Sequence, residues 1–172
     1  MSIMPILKYP DPLLRKISEP VTEFDEGLAM LAADMKETML AAPGAGLAAP
    51  QVGVLKRLIL IDDRDDPEED YGSKVLALVN PEITHYEGAQ CDKEGCLSVV
   101  DLSADVNRHD LVVVAYHDLE GNPRTIKARG HKSVILQHET DHLDGVLFLD
   151  HLTPLRREIY VKSLRKKRHG EG

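Results

Sequence analysis

His138-Glu139-Thr140-Asp141-His142 places two histidines four residues apart, with a carboxylate directly after the first. On an α-helix, residues i and i+4 lie on the same face, so His138 and His142 can bind one metal ion together. Glu139 lies beside the pair, where its carboxylate can accept a proton from a metal-activated water. The pattern therefore predicts a helix carrying a hydrolytic metal site. The alternative is two core histidines, each bonded to a backbone carbonyl group, which leaves the adjacent carboxylate unexplained.

The residues around this pair predict that both histidines face the protein interior. Val134 and Ile135 precede His138 by about one helical turn, and Leu143 flanks His142. Water is limited in such a place, and electrostatic interactions are stronger there. We expect the opposite, outward side of the helix to carry four polar residues: Ser133, Gln137, Asp141 and Asp144.

Glycines and apolar spacing predict a helix on either side of this central one along the chain. Gly130 and Gly145 bound the central helix. Apolar residues at helical spacing predict an N-terminal helix over residues 25–40, followed by a proline and a glycine. Thr153-Pro154 has the form of an N-cap followed by a first-turn proline, so a C-terminal helix is expected at about residues 153–169.

Short apolar runs between the first two helices have strand character. These runs are residues 55–61, 75–79, 83–86, 111–116 and 125–128. Residues 121–123 (GNP) predict the turn of a hairpin between the last two. Because strands cluster instead of alternating with helices, the fold class is α+β. We expect mainly antiparallel sheets packed around the central helix that carries HExxH, with an N-terminal and a C-terminal helix.

Composition favours a globular enzyme over several other classes of protein. The 172 residues suit a single domain, residues 1–172, with 42% hydrophobic residues. The net charge of −8 argues against general DNA or RNA binding, and two cysteines do not form a disulfide framework. No apolar run approaches the roughly 20 residues of a membrane span, and no leader peptide is evident. We therefore expect a cytoplasmic protein without a membrane partner.

Two histidines leave a catalytic metal one protein ligand short. One metalloprotease class has a histidine six residues after the second histidine, but Phe148 stands there, which excludes that class. Glu158 is the only glutamate available from a following helix, and its surroundings are basic. The cysteines are the other candidates: Cys91 lies in a polar stretch, whereas Cys96 follows Gly95, which would allow close approach of the backbone to a metal.

Three motifs, in this order, resemble the peptide deformylase family. They are residues 44–51 (GAGLAAPQ), 94–98 (EGCLS) and 137–145 (QHETDHLDG). The similarity also includes residues 6–15 and 146–150, so it covers nearly the whole chain. The resemblance implies removal of the formyl group from the N-terminal formylmethionine of newly made polypeptides, with release of formate. N-formylmethionyl peptides and nascent chains would then be the partners.

The resemblance also implies a ligand set and a catalytic base. Cys96, His138 and His142 would hold one divalent metal ion, and Glu139 would be the proton acceptor. By family resemblance the ion is Fe²⁺. A ligand set of one cysteine and two histidines is equally compatible with Zn²⁺, Ni²⁺ or Co²⁺.

The other motifs supply substrate contacts by the same resemblance. The side-chain amide of Gln51 and the backbone N–H of Leu97 would stabilise the oxyanion. The small residues Gly44, Ala45 and Gly46 would let the substrate backbone lie alongside as an added strand.

Two positions depart from the usual family pattern. Ala45 stands where a branched aliphatic residue is commoner, and Val100 stands where proline is frequent. Neither change touches a ligand, the base or an oxyanion donor. A smaller residue at 45 predicts a roomier methionine pocket and weaker discrimination. The alternatives are a deformylase-like enzyme with another N-blocked substrate and a non-catalytic binding module; the complete catalytic set argues against the second.

Charged residues outside the motifs lead to two further hypotheses. We expect Arg108 to pair with Glu94 or Asp141 and so support the metal site, instead of being an ordinary exposed arginine. The basic C-terminal helix, on an otherwise acidic protein, suggests attraction to ribosomal RNA where nascent chains emerge. The alternative for these cations is that they complement the helix dipole.

Overall fold

The computed structural model describes residues 2–170 of the chain. Within that part it has three α-helices: α1 Glu26–Ala41, α2 Gly130–Leu143 and α3 Pro154–Gly170. The described strands are β1 Gly46–Ala48, β2 Leu58–Asp62, β3 Val75–Glu87, β4 Gln90–Cys96, β5 Val99–Arg108, β6 Leu111–His117 and β7 Pro123–Arg129. Short 3₁₀ turns cover Pro12–Arg15, Ala49–Val52 and Phe148–His151.

The strands form two antiparallel sheets. The larger has the order β1-β2-β3-β6-β7, and β4 pairs with β5 in a separate hairpin. Strand β1 is therefore an edge strand, with β2 on one side only. Together with the three helices, this confirms the predicted α+β class, its mainly antiparallel sheets and the helix at either end.

Helix α1 forms because its N-terminus is capped and one of its faces is apolar. The side chain of Asp25 accepts the backbone N–H of Leu28, which satisfies one of the free donors at the helix start. The helix ends just before Pro43-Gly44, as the sequence predicts. The apolar face packs into one core cluster with β1 and β2; its fully buried members include Leu28, Met35, Met39, Leu47 and Leu58.

Helix α2 lies against the larger sheet. Its residues Ile135, Leu136 and Leu143 pack with Ile59 of β2 and Val112 of β6 in a second core cluster. The helix begins and ends near the two predicted glycines, which have φ of 60° and 74°. The metal-binding motif is thus held on a rigid element between a sheet and the hairpin β4–β5.

The predicted outward side of α2 is wrong in part. Ser133 and Gln137 are buried, with 0% and 6% exposure. Both bond to the turn between β5 and β6: the Ser133 hydroxyl and the Gln137 amide each donate to the carbonyl oxygen of His109. Helical spacing alone did not identify these two as interior residues, because a backbone partner from another element satisfies them.

The strand prediction was incomplete at β1, β4 and β5 and divided β3 into two runs. Strand β3 is one strand with register irregularities between Val79 and Glu82 and between Ile83 and His85. Asn80, with φ of 51°, and Pro81 lie at the first of them. Strand β4 is largely exposed and rich in charged residues, so it lacks the alternating apolar signal of a half-buried strand. Strand β5 does alternate, with Ala104 and Val106 buried between exposed polar residues, and this short signal was overlooked.

Among the described residues, no helix combines the length and the apolar character needed to cross a membrane.

Candidate metal centre

The three side chains that the resemblance nominates as metal ligands lie together. One ligand atom from each of Cys96, His138 and His142 falls within 4.8 Å of the others, and Cys96 Sγ is 3.4 Å from His142 Nε2. The cysteine ends β4 and the histidines come from adjacent turns of α2. One thiol and two buried imidazoles are a suitable three-ligand set for a catalytic divalent ion. Cys91 is exposed on β4 and outside this group.

A buried carboxylate orients the first histidine. His138 Nδ1 lies 3.0 Å from Glu94 Oε1. A carboxylate can only accept here, so Nδ1 carries the proton and Nε2 presents its lone pair to the ligand group. Burial raises the pKa of Glu94, but hydrogen bonds from Arg108 and His138 outweigh it and hold the pKa at about 2. Glu94 is therefore ionised when it meets the imidazole.

Arg108 joins this carboxylate to a second one on α2. Its Nε and Nη2 donate to the two oxygens of Glu94 at 2.8 and 2.9 Å, and its Nη1 donates to Asp141 Oδ2 at 2.7 Å. Arg108 is 7% exposed. The predicted pairing of Arg108 is confirmed, and it involves Glu94 and Asp141 together. His151 also lies 3.0 Å from Asp141 Oδ2.

Arg108→Ala should destabilise the protein by about 3 kcal/mol, because it leaves the Glu94 carboxylate buried without its cation. The folded pKa of Glu94 lies below its ordinary value of 4.5, so the carboxylate stabilises the fold above that pH, and the contribution is lost as pH falls toward about 2. Removing Arg108 raises the folded pKa, so acid unfolding should begin at a higher pH than in the wild type. Urea unfolding at a series of pH values measures both effects.

Arg124→Ala is the matched control for this variant, because the Arg124 side chain is 58% exposed and pairs with Asp118 far from the ligands. It should change stability by less than about 1 kcal/mol. We also expect Arg108→Ala to weaken metal binding by about tenfold or more. Unchanged stability and metal affinity would mean that Arg108 has no supporting role.

Glu139 lies beside the ligands in a closely packed place. It is 4% exposed, its Oε1 is 3.8 Å from His138 Nε2, and its Oε2 has no hydrogen-bond partner among the described residues. Burial raises the pKa of Glu139 to about 7. A Cβ at Gly46 would lie 2.8 Å from Glu139 Cγ, so a larger residue at position 46 would displace this carboxylate. The arrangement places a buried proton acceptor directly beside the ligand group.

The amide of Gln51 is held in one orientation. Its Oε1 accepts the backbone N–H of Ala48 at 2.9 Å, and its Nε2 donates to Ser98 Oγ at 3.0 Å. Nε2 also lies 3.6 Å from Cys96 Sγ, so the donor end of the amide points toward the ligands. Leu97 lies between Cys96 and Ser98, and the ammonium group of Lys8 donates to its carbonyl oxygen at 2.7 Å.

A cavity of about 680 Å³ brings these parts together. Its lining includes all the predicted site residues except the buried ligand His142: Gly44, Ala45, Gly46, Gln51, Cys96, Leu97, His138 and Glu139. This size suits several residues of a peptide or a small ligand. Residues 99–103, at the start of β5, form a further part of the wall.

Sequence reasoning missed Tyr71 near this cavity. Its hydroxyl accepts the N–H of Gly44 at 3.0 Å and donates to the Gly44 carbonyl oxygen at 2.5 Å. Tyr71 follows residues 62–70, a run rich in aspartate and glutamate. Lys132 of α2 pairs with Asp63 and Asp65 in this run. Nothing local in the sequence signals the contact with Gly44, which lies 27 residues away.

Comparison with known proteins decides the family. The polypeptide deformylase family model matches residues 3–158. The chain belongs to the polypeptide deformylase family. It is 46% identical over 168 residues to a peptide deformylase of Desulfotalea psychrophila, covering 96% of this chain and 97% of that one. A deformylase of Acidobacterium capsulatum is 45% identical, with 99% of each chain covered.

Solved deformylase structures have the same fold. The crystal structure of a deformylase from Legionella pneumophila superposes with a TM-score of 0.88 at 43% identity, covering 99% of this chain and 98% of that one. A deformylase from Ehrlichia chaffeensis, solved in complex with actinonin, gives 0.89 at 39% identity, with 97% and 98% covered. The predicted family, fold class and activity are confirmed. Deformylases are metal-dependent hydrolases that remove the formyl group from N-terminal methionine.

Proposed function

We propose that this deformylase uses Cys96, His138 and His142 to hold its divalent ion, and Glu139 as its proton carrier, within one catalytic domain spanning residues 1–172. The observation that carries the proposal is the convergence of the thiol, the two imidazoles and the buried carboxylate, of which Cys96, His138 and Glu139 line one cavity. When bound, the ion supplies Lewis acidity, which makes water more acidic and a carbonyl group more electrophilic.

Glu139 moves the proton during hydrolysis. Its carboxylate takes a proton from the attacking water as the water oxygen bonds to the formyl carbon. When the C–N bond breaks, the same carboxyl group gives that proton to the departing amine, and formate leaves. Glu139 lies between Gly46 and His138. Its carboxyl group is therefore beside the ligands, where the attacking water and the departing amine would lie.

Gln51 and Leu97 stabilise negative charge on the formyl oxygen. The Gln51 amide is pre-oriented by Ala48 and Ser98, so its donor end needs little reorganisation during the reaction. The backbone N–H of Leu97 is the second donor. Both residues line the cavity beside Cys96.

Strand β1 and the residues before it bind the substrate backbone. Because β1 is an edge strand, its free side can pair with an extended peptide. Gly44, Ala45 and Gly46 keep that edge free of large side chains, and all three line the cavity. Ala45 leaves room for the methionine side chain and predicts weak discrimination against other apolar residues there.

We propose Fe²⁺ as the native ion, with Zn²⁺, Ni²⁺ and Co²⁺ as ions that the same ligands accept. Metal analysis of protein prepared without oxygen, together with formate release from a formyl-Met peptide, tests the proposal. The same peptide with an acetyl group distinguishes deformylation from action on other N-blocked substrates. Faster release of acetate than of formate, or one equivalent of metal bound in a Cys96→Ala variant, would contradict it.

We further propose that helix α3 attracts ribosomal RNA near emerging nascent chains. Its exposed basic residues include Arg156, Lys162, Arg165 and Lys166. Lys162 is paired with Glu158 within the helix. Arg165 and Lys166 lie further along the same helix, after this pair. A cluster of this kind on an acidic protein supports weak, salt-sensitive binding to a polyanion.

Changing Arg165 and Lys166 to Gln should weaken ribosome co-sedimentation. The slope of log affinity against log salt concentration should fall by an amount that corresponds to up to about two phosphate contacts. Deformylation of a short formyl-Met peptide should be unchanged. The matched control replaces the exposed Lys16 and Lys36, which lie on other elements, with Gln. Equal co-sedimentation of both variants and the wild type would mean that the cations of α3 only complement its dipole.

A further inference from the structure

Part of the cavity wall is a bulge in β5 that does not pair with β4. In the hairpin β4–β5, Cys96 pairs with Val99 and Gly95 pairs with Ser103, so residues 100–102 have no partner on β4. We call residues 100–102 the β5 bulge. Its middle residue, Asp101, has φ of 60°, an uncommon conformation for a residue with a side chain. The hairpin ladder alone therefore does not fix this part of the wall.

Helix α3 makes two polar contacts with the β5 bulge, and Leu102 of the bulge also packs against the core cluster that contains Tyr160. The hydroxyl of Tyr160 donates to the carbonyl oxygen of Val100 at 2.8 Å, and the ammonium group of Lys167 pairs with the Asp101 carboxylate. The Lys167 pair is exposed on both sides, so it contributes little. The Tyr160 hydrogen bond differs from this ion pair because its donor is buried: Tyr160 is 6% exposed, while Val100 is 42% exposed.

Tyr160 is itself firmly placed. Its ring packs in the third core cluster with Val99 and Phe148, and its centroid lies 6.2 Å from that of Tyr9. Burial raises the pKa of Tyr160 to about 12, so its hydroxyl carries a proton at every physiological pH. The hydrogen bond thus joins a buried donor to the carbonyl group of a partly exposed residue. Val100 stands where a proline ring would restrict the backbone angle φ. Without that ring, a restraint on the bulge has to come from outside it.

We infer that Tyr160 is a positioning residue for the substrate: by holding the Val100 carbonyl group, it fixes the β5 bulge in the conformation that binds the formyl peptide. Tyr160 touches none of the proposed reacting groups, so its effect is on binding and not on chemistry. If the bulge has several conformations and one binds peptide, the apparent dissociation constant rises as the population of that one falls. The inference rests on the proposed use of the Cys96 cavity for formyl-peptide hydrolysis.

Tyr160→Phe removes the hydroxyl and keeps the ring in the core. The loss of one hydrogen bond should raise KM for a formyl-Met tripeptide by about threefold to tenfold, with kcat within about twofold of wild type. Amide hydrogen exchange in a fragment covering residues 97–103 should become faster, while metal content stays the same. The matched control is Tyr86→Phe, because Tyr86 is an exposed tyrosine of β3 outside the cavity.

Three results would overturn the inference. The first is unchanged KM and unchanged exchange at residues 97–103 in the Tyr160→Phe variant. The second is a fall in kcat with KM unchanged, which would place Tyr160 in the chemistry, and the third is loss of metal, which would place it in general stability. If the wild type releases no formate, the proposed function fails. The exchange measurement needs no substrate and still decides whether Tyr160 holds the β5 bulge.

Discussion

Glu139→Gln should lower kcat for deformylation by at least about 10²-fold while the divalent metal stays bound. Glutamine has the size of glutamate and fits the space opposite Gly46, where a Cβ would already lie 2.8 Å from Glu139 Cγ. The substitution therefore preserves packing and removes only the ability to carry a proton. Steady-state formate release and metal analysis of the same preparation measure the two properties side by side.

Glu37→Gln is a matched control for this substitution. Glu37 is a partly buried glutamate on α1 whose Oε2, like that of Glu139, has no hydrogen-bond partner among the described residues. It lies outside the cavity, so its replacement should leave kcat nearly unchanged. Near-normal turnover by Glu139→Gln would eliminate Glu139 as the proton carrier.

Cys96→Ala should remove most of the bound metal and with it the activity, because two histidines alone leave a divalent ion with too few protein ligands. Cys96 Sγ lies 3.4 Å from His142 Nε2, within the ligand group. His138→Ala and His142→Ala should have the same effect. Metal content after dialysis against a weak chelator, followed by activity, measures the loss.

Cys91→Ser provides the control from the same strand. Cys91 is exposed on β4, opposite Asn107 of β5, and lies outside the ligand group. Its replacement should leave metal content and activity almost unchanged. Equal losses from Cys91→Ser and Cys96→Ala would show that the ligand assignment is incorrect.

The sequence predicted the central helix and its motif well because both depend on local spacing. Histidines four residues apart share a helix face wherever the helix lies, and Gly130 and Gly145 mark its ends. The position of Cys96 beside them is not local. It depends on the hairpin β4–β5, whose first strand gave no strand signal. The neighbouring Gly95 made Cys96 one candidate among several, and the family motif selected it.

Buried polar residues were predicted only in part. The pairing of Arg108 with Glu94 was expected, but not that both would be buried; they lie inside the protein because each satisfies the other across 14 residues of the hairpin. Ser133 and Gln137 are buried because a carbonyl oxygen at His109 accepts from both. Neither arrangement changes the spacing of apolar residues along the chain, and helices and strands are predicted from that spacing.

The end of helix α2 depends on distant parts of the chain. The carbonyl oxygen of Leu143 accepts the backbone N–H of Ser18 and the guanidinium group of Arg57, and that of Gly145 accepts from Arg15. These contacts join residues up to 130 positions apart. The last turn of α2, which carries His142, is therefore held by a segment from near the other end of the chain. A variant that lacks this segment should bind metal more weakly than the whole chain, although residues 138–142 are unchanged.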